Sequence, residues 1–212
     1  MDPMRLVLLD MDSTFIQQEV IDLLAIHAGV GFQVAAITDR SMRGEIDFQE
    51  ALSLRVGLLA GLSSDVFAKV RDEISLSTGA EEMVSTLHER GHKVAIISGG
   101  FENVITPILE SARIDYFRAN LLEVSDGVLT GNIVGRIIDR TAKADYLREL
   151  ADLLKIPLSN TVAVGDGAND LGMMELAGLS IAFNAKPVVR AAADEVIEDR
   201  DLTGVLRFMG IN

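Results

Sequence analysis

Near the start of the chain, Leu6-Val7-Leu8-Leu9 forms an apolar run that shows no alternation and stops at Asp10. A short continuous run of this kind predicts a strand buried on both faces. Beyond Thr14 the apolar residues take up helical spacing and keep it to about residue 74. Thr14 and Gln17 form a capping-box pattern, which predicts a first helix from about Phe15 to a stop at Gly29. Ile16, Val20, Leu23, Leu24 and His27 would share its buried face. A second helix runs from about Phe32 to Gly44, and a third, opened by the Asp47/Glu50 box, reaches Gly61. A fourth runs from near Asp65 to near Ile74.

From Thr78 the rhythm becomes strand and helix in alternation. Thr78 and Glu81 predict a helix cap, Gly91 ends that helix, and Lys93 to Ile97 reads as a buried strand closed by Ser98-Gly99-Gly100. A helix follows from about Phe101, with a kink or late start expected at Pro107. Within residues 121–134, Asp126-Gly127 stands between β-like runs, a strong hairpin signal. Thr141 to Leu154 is amphipathic helix, Thr161 to Val164 a strand, Asn169 to Ala177 a helix and Ser180 to Phe183 a strand. Pro187 suits the first turn of the next helix, and Leu202 to Met209 closes the chain. The alternation predicts an α/β fold, a doubly wound (Rossmann-like) parallel sheet. The expected division is an α/β core over 1–14 and 75–212, a helical-bundle cap over 15–74 and a small β-hairpin flap at 121–134.

Composition narrows the chemistry. With 49% hydrophobic residues in 212, the chain has material for a full core. Its formal net charge of −13, without basic runs, argues against phosphate-mediated nucleic-acid binding. An anionic substrate would also need local cations or a metal ion to offset that repulsion. There is no cysteine, which excludes thiol chemistry, disulfides and thiolate-held zinc. No apolar run approaches membrane-spanning length and no signal-peptide pattern is present, so a soluble cytoplasmic protein with no membrane partner is expected.

Three predicted strands end in polar clusters: Asp10 with Asp12, Ser98-Gly99-Gly100, and Asp166 with Asn169 and Asp170. Ligands of open parallel sheets bind at such ends. Each cluster also has an ordinary reading, as turn, loop or helix cap, and an EF-hand is excluded by Thr14 and Phe15. Together, Asp10, Asp12, Asp166 and Asp170 form an all-oxygen set suited to a hard cation such as Mg2+. Ser98-Gly99-Gly100, between strand and helix, suits an anion. Lys143 lies in the first turn of its helix, a disfavoured place for a cation, though a lysine alone usually reads as solvated surface. Arg55 falls in an apolar stripe with Phe48, Leu52 and Leu59, so it either snorkels outward or is held for a planar anion such as a carboxylate. Glu19, close to Asp10 in sequence, invites a cationic group such as an amine between them. Phosphate, amine and carboxylate together describe a phospho-amino acid.

The order and spacing of DMDST (10–14), SGG (98–100), Lys143 and GDGAND (165–170) resemble the haloacid dehalogenase superfamily of phosphohydrolases. MRGEIDF (42–48), RVGLLAG (55–61), DGVLTG (126–131) and TVAVGDGAND narrow the resemblance to the branch acting on O-phosphoserine, over nearly the whole chain. Ala51 stands where that branch often has serine. The resemblance implies Asp10 as nucleophile, Asp12 as acid and base, and Mg2+ held by Asp10, the Asp12 backbone carbonyl and Asp166, with Asp170 in support. It implies Ser98, Gly99 and Lys143 on the phosphoryl group, beside Gly100, and Asn169 on substrate or metal shell. Glu19 would take the amine and Arg55 the carboxylate, with Met42 and Phe48 lining a lid. A small-molecule substrate and a monomer or homodimer are expected. Two rivals share the strand-end motifs: a phosphotransferase using an alcohol acceptor such as homoserine, and a broader small-molecule phosphomonoesterase. A third, of a different class, is a receiver domain phosphorylated on aspartate, disfavoured by the helical lid and Arg55.

Overall fold

The computed structural model describes residues 3–211. In chain order they form β1 (Leu6–Leu9), α1 (Val20–His27), α2 (Gly31–Met42), α3 (Phe48–Gly57) and α4 (Val66–Asp72). There follow α5 (Ala80–Glu89), β2 (Lys93–Phe101), α6 (Glu102–Ser111), β3 (Tyr116–Ser125), β4 (Val128–Val134) and α7 (Arg140–Leu154). The chain finishes with β5 (Thr161–Gly165), α8 (Leu171–Met174), β6 (Leu179–Phe183), α9 (Pro187–Arg190), β7 (Glu195–Ile197) and α10 (Gly204–Phe208).

All four residues of β1 are fully buried, because the strand is central in a sheet ordered β4-β3-β2-β1-β5-β6-β7. Every pairing is parallel except β3 with β4. The chain runs outward from β1 through β2 and β3, then returns to the other side with β5, β6 and β7, so the ends of β1, β2 and β5 face one crevice. Side chains alternate between two cores. Val7, Leu9, Val94, Ile96, Val162 and Val164 pack with α1, α5, α6 and α10. Leu6, Leu8, Ala95, Ile97 and Ala163 pack with α7, α8 and α9. The fold is therefore the doubly wound α/β architecture that the pattern predicts.

Several boundaries differ from the pattern. No helix starts at Phe15 and no Thr14/Gln17 box forms: residues 11–15 make a wide turn in which Asp12 and Ser13 are non-helical, and α1 waits for Val20. The Asp12 carboxylate explains this, since its Oδ1 accepts from Val20 N at 2.9 Å and caps α1 from outside it. Thr14 Oγ1 is buried without a hydrogen-bond partner among the described residues. The Asp47 cap forms as expected, accepting from Glu50 N, but α3 ends at Gly57 rather than Gly61. At α5 the cap is Gly79 in a left-handed conformation, not Thr78. β2 continues through Ser98-Gly99-Gly100 with an irregularity, and α6 begins at once and includes Pro107. The Asp126-Gly127 hairpin forms, but its first strand starts earlier, at Tyr116, where β3 joins the main sheet. β7 went unseen because three residues of mixed polarity carry no periodicity.

Candidate active site

Asp10 follows β1 directly, its N–H bonded to Val164 O at 2.9 Å across to β5. Both hydrogen bonds to its carboxylate fall on Oδ1, from Met11 N at 2.8 Å and Lys143 Nζ at 2.6 Å, so Oδ2 takes neither. Asp12 turns into the same crevice, anchored through Oδ1 by Val20 N and through Oδ2 by Ser98 Oγ at 3.2 Å. Ser98 Oγ also accepts from Gly100 N at 2.8 Å. A Cβ on Gly100 would lie 2.6 Å from Asp12 Oδ2, so only glycine allows the approach.

Lys143 is not the solvated lysine that its position alone would suggest. It is completely buried on α7, with Nζ 2.6 Å from Asp10 Oδ1 and 2.7 Å from Asp170 Oδ1. Burial works against its charge, but the two carboxylates outweigh that and raise its pKa. Asp170 turns its other oxygen to the Asp166 and Gly167 N–H groups at 3.1 and 3.0 Å. This turn, not a helix between them, holds Asp166 and Asp170 together, because α8 starts only at Leu171.

One lysine does not neutralise four acids. Burial pushes Asp10 well above the usual carboxylate range, with Asp170 adding, Lys143 opposing, and Asp166 and Asp12 adding further. Asp12 is pushed up to about 7 by burial and the Glu19 charge, against the Val20 N–H, Lys143 and Ser98. Asp166 also reaches about 7, through burial, Asp170 and Glu19, with Lys186 and Lys143 opposing. Carboxylate oxygens of Asp10, Asp166 and Asp170 lie within 4.8 Å of one another, a set that could hold a metal ion. Excess negative charge on hard oxygen donors fits a divalent cation. Within that set Asp170 has both oxygens engaged in hydrogen bonds, whereas the hydrogen bonds to the Asp10 carboxylate fall on Oδ1.

A cleft of about 1060 Å³ opens above the strand ends, lined by Asp10, Asp12, Glu19, Met42, Phe48, Arg55, Gly99, Gly100, Asp166 and Asn169. Ser98, Lys143 and Asp170 are buried outside this lining. Glu19 arrives by a turn rather than along a helix: Ser13, at φ 57°, donates to Glu19 Oε1 at 2.7 Å. Arg55 is half-buried and, among the described residues, donates to Ala51 O at 3.3 Å and Thr38 Oγ1 at 3.4 Å. Burial lowers its pKa, against Asp22, Glu19 and Asp12. Phe48 rests on Gly99, whose added Cβ would sit 3.4 Å from Phe48 Cζ.

Sequence reasoning missed Asn120, Gln49 and Lys186. Buried Asn120 donates to Gly99 O at 2.8 Å and accepts from Ile138 N at 2.9 Å, joining the glycine loop to the approach of α7. Gln49 Nε2 donates to Asp139 Oδ2 at 2.7 Å, and Lys186 lines the cleft beside Asp166. A buried-strand asparagine was the one available signal, in Ala119-Asn120-Leu121; Gln49 and Lys186 carry none.

The haloacid dehalogenase-like hydrolase profile matches residues 7–175. The chain belongs to that family. Among curated relatives, the phosphoserine phosphatase of Streptococcus thermophilus is 48% identical over 204 residues, covering 96% of this chain and 95% of that protein. That of Streptomyces coelicolor is 50% identical over 207 residues, and there the chain spans only half of the relative's length. A solved structure of a phospho-aspartyl intermediate analogue of phosphoserine phosphatase superposes with a TM-score of 0.93 at 42% identity, each chain covered in full. A substrate-bound phosphoserine phosphatase complex matches equally well. This family member has its acids, its buried lysine and its glycine loop gathered at the sheet's carboxyl edge. No helix among the described residues is long and apolar enough to cross a membrane.

Proposed function

We propose that the chain is a phosphoserine phosphatase, hydrolysing O-phosphoserine to serine and phosphate as the last step of serine formation. One observation carries the reading: a single cleft has Asp10 and Asp12 on its floor and Glu19 and Arg55 on its wall. The floor suits a phosphate, the Glu19 carboxylate an amine, and the Arg55 guanidinium a carboxylate.

Asp10 attacks phosphorus through its carboxylate oxygen, and the bond to the serine oxygen breaks. Asp12, its carboxyl pushed above the usual range by burial and the Glu19 charge, gives its proton to the departing oxygen. Ser98, Gly99 and Lys143 hold the phosphoryl oxygens, with Gly100 keeping the loop close to Asp12. In the second displacement Asp12 takes a proton from water, the water oxygen attacks phosphorus, and the bond to Asp10 breaks. Mg2+ would be held by Asp10, the Asp12 backbone carbonyl and Asp166 with Asp170 behind, and when bound would supply neutralising charge for the attack of a carboxylate on phosphate. Asn169 orients the substrate, while Met42 and Phe48 close over it.

Residues 15–74 act as a cap on the core of 1–14 and 75–212, with the 121–134 flap beside it, and exclude water during the first step. The substrate is small and diffusible, and the enzyme works in the cytoplasm as a monomer or homodimer without nucleic acid or membrane. The test is a Mg2+-dependent screen of phosphoserine, phosphothreonine and an aryl phosphate, with free phosphate measured against phosphohomoserine when homoserine is present. Preferential phosphate release from phosphoserine supports the reading; transfer to homoserine, or no preference, contradicts it.

A further inference from the structure

Two sequence motifs have no place in the chemistry above: the stretch after Arg55 (56–61) and residues 126–131, the hairpin turn with the start of β4. The structure joins them. Gly61 N donates to Leu129 O at 2.8 Å, Leu129 N to Leu62 O at 2.9 Å, and Ser64 N to Gly127 O at 2.8 Å. Gly131, at φ +88°, faces the end of α3 so closely that a Cβ there would lie 3.0 Å from Ala60 Cβ and 3.3 Å from Gly57 O. Glu123 fixes the kink from the opposite strand, accepting from Thr130 Oγ1 at 2.6 Å and from Asn132 Nδ2 at 3.1 Å.

The base of the same hairpin is tied to the phosphate side. Asn120 bonds Gly99 O and Ile138 N, and Asn103 Oδ1 accepts from Leu122 N at 2.8 Å. From Asn120 to Glu123 is three strand residues, a reach of about 10 Å. Among the described residues, Arg55 donates hydrogen bonds to Ala51 O and Thr38 Oγ1, both within the helical segment, so its height over the floor follows how that segment is seated on the core. Its helix is seated at the front by Phe48 on Gly99 and by Gln49 on Asp139, and at the back by the hairpin.

We propose that the β3–β4 hairpin is a spacer setting the distance between the glycine loop at Gly99 and the guanidinium of Arg55, with Gly131 as its positioning residue. The hairpin thereby selects substrates by the separation of phosphate and carboxylate. The proposal rests on the phosphoserine reading, with Arg55 as carboxylate partner.

Gly131→Ala adds a wedge from the hairpin side, and Ala60→Val adds one from the helical side, at an exposed position. Each is assayed on phosphoserine and on phosphoethanolamine, which keeps phosphate and amine but lacks the carboxylate. A displaced Arg55 should lower kcat/KM for phosphoserine roughly 10–100-fold, the scale of a misplacement near 1 Å. Phosphoethanolamine kinetics should stay near wild type, so the ratio of kcat/KM for the two collapses. A merely structural role lowers both together, and that result, or an unchanged ratio in Ala60→Val, overturns the spacer. A wild-type enzyme that does not prefer phosphoserine overturns the reading beneath it.

Discussion

Lys143 Nζ lies 2.6 Å from Asp10 Oδ1, both side chains buried, although 133 positions separate them in sequence. The pair brings α7 and the end of β1 to one point and compensates a charge that water does not reach. Lys143→Met should abolish phosphoserine hydrolysis and destabilise the fold by about 3–5 kcal/mol at neutral pH, the cost of stranding buried charge. The loss should shrink at pH 5, where Asp10, its pKa raised by burial, can protonate instead. Thermal melts at both pH values check this; a pH-independent loss contradicts it.

Gly100 leaves room for Asp12. A Cβ there would meet Asp12 Oδ2 at 2.6 Å and Ser98 Oγ at 3.0 Å. Gly100→Ala should lower kcat by about 100-fold, the upper scale for disturbing one positioned acid being roughly 10⁴. KM should move little, because the carboxylate and amine partners are elsewhere. Steady-state kinetics decide it, and a KM effect with unchanged kcat would contradict the placement.

The sheet was legible because its strands are continuous apolar runs, and three of them end in polar clusters that the topology then collects. Lys143 was not legible from its surroundings: an amphipathic helix gives a lysine near its start no mark of burial, and only Asp10 and Asp170, distant in sequence, hold it inside. The Thr14/Gln17 box failed for a similar reason. A local pattern proposed a cap, and a carboxylate eight positions before Val20 took that role. Glu19 entered the cleft as expected, but through a non-helical turn that periodicity does not encode.

Charge crowding makes stability depend on pH. Burial holds Asp12 and Asp166 at about 7, above the ordinary value of 3.8. Between those limits the folded chain binds more protons than the unfolded one, so stability falls as pH rises from about 4 to 7. With EDTA present, the melting temperature should therefore drop between pH 5 and pH 8, by roughly 2–4 °C for each kcal/mol lost. Mg2+ should restore more at pH 8 than at pH 5. A flat profile in EDTA contradicts the electrostatics described.

Ser13 holds Glu19 from a left-handed backbone position, through the 2.7 Å bond to Oε1. Ser13→Gly relieves that backbone and removes the bond together. The melting temperature should hold or rise, while KM for phosphoserine increases several-fold, on the scale of a net hydrogen-bond contribution of about 0.5–1.5 kcal/mol. An unchanged KM would show that Glu19 needs no such support.

The central claim is that Asp10 forms a covalent bond to phosphorus. Acid-quenching the enzyme during turnover of phosphoserine, followed by peptide mass spectrometry, tests it directly. The peptide bearing Asp10 should carry one phosphoryl group in the wild type, and Asp10→Asn should carry none and release no phosphate while keeping its fold. A phosphoryl group on another residue, or sustained turnover by folded Asp10→Asn, would contradict the account.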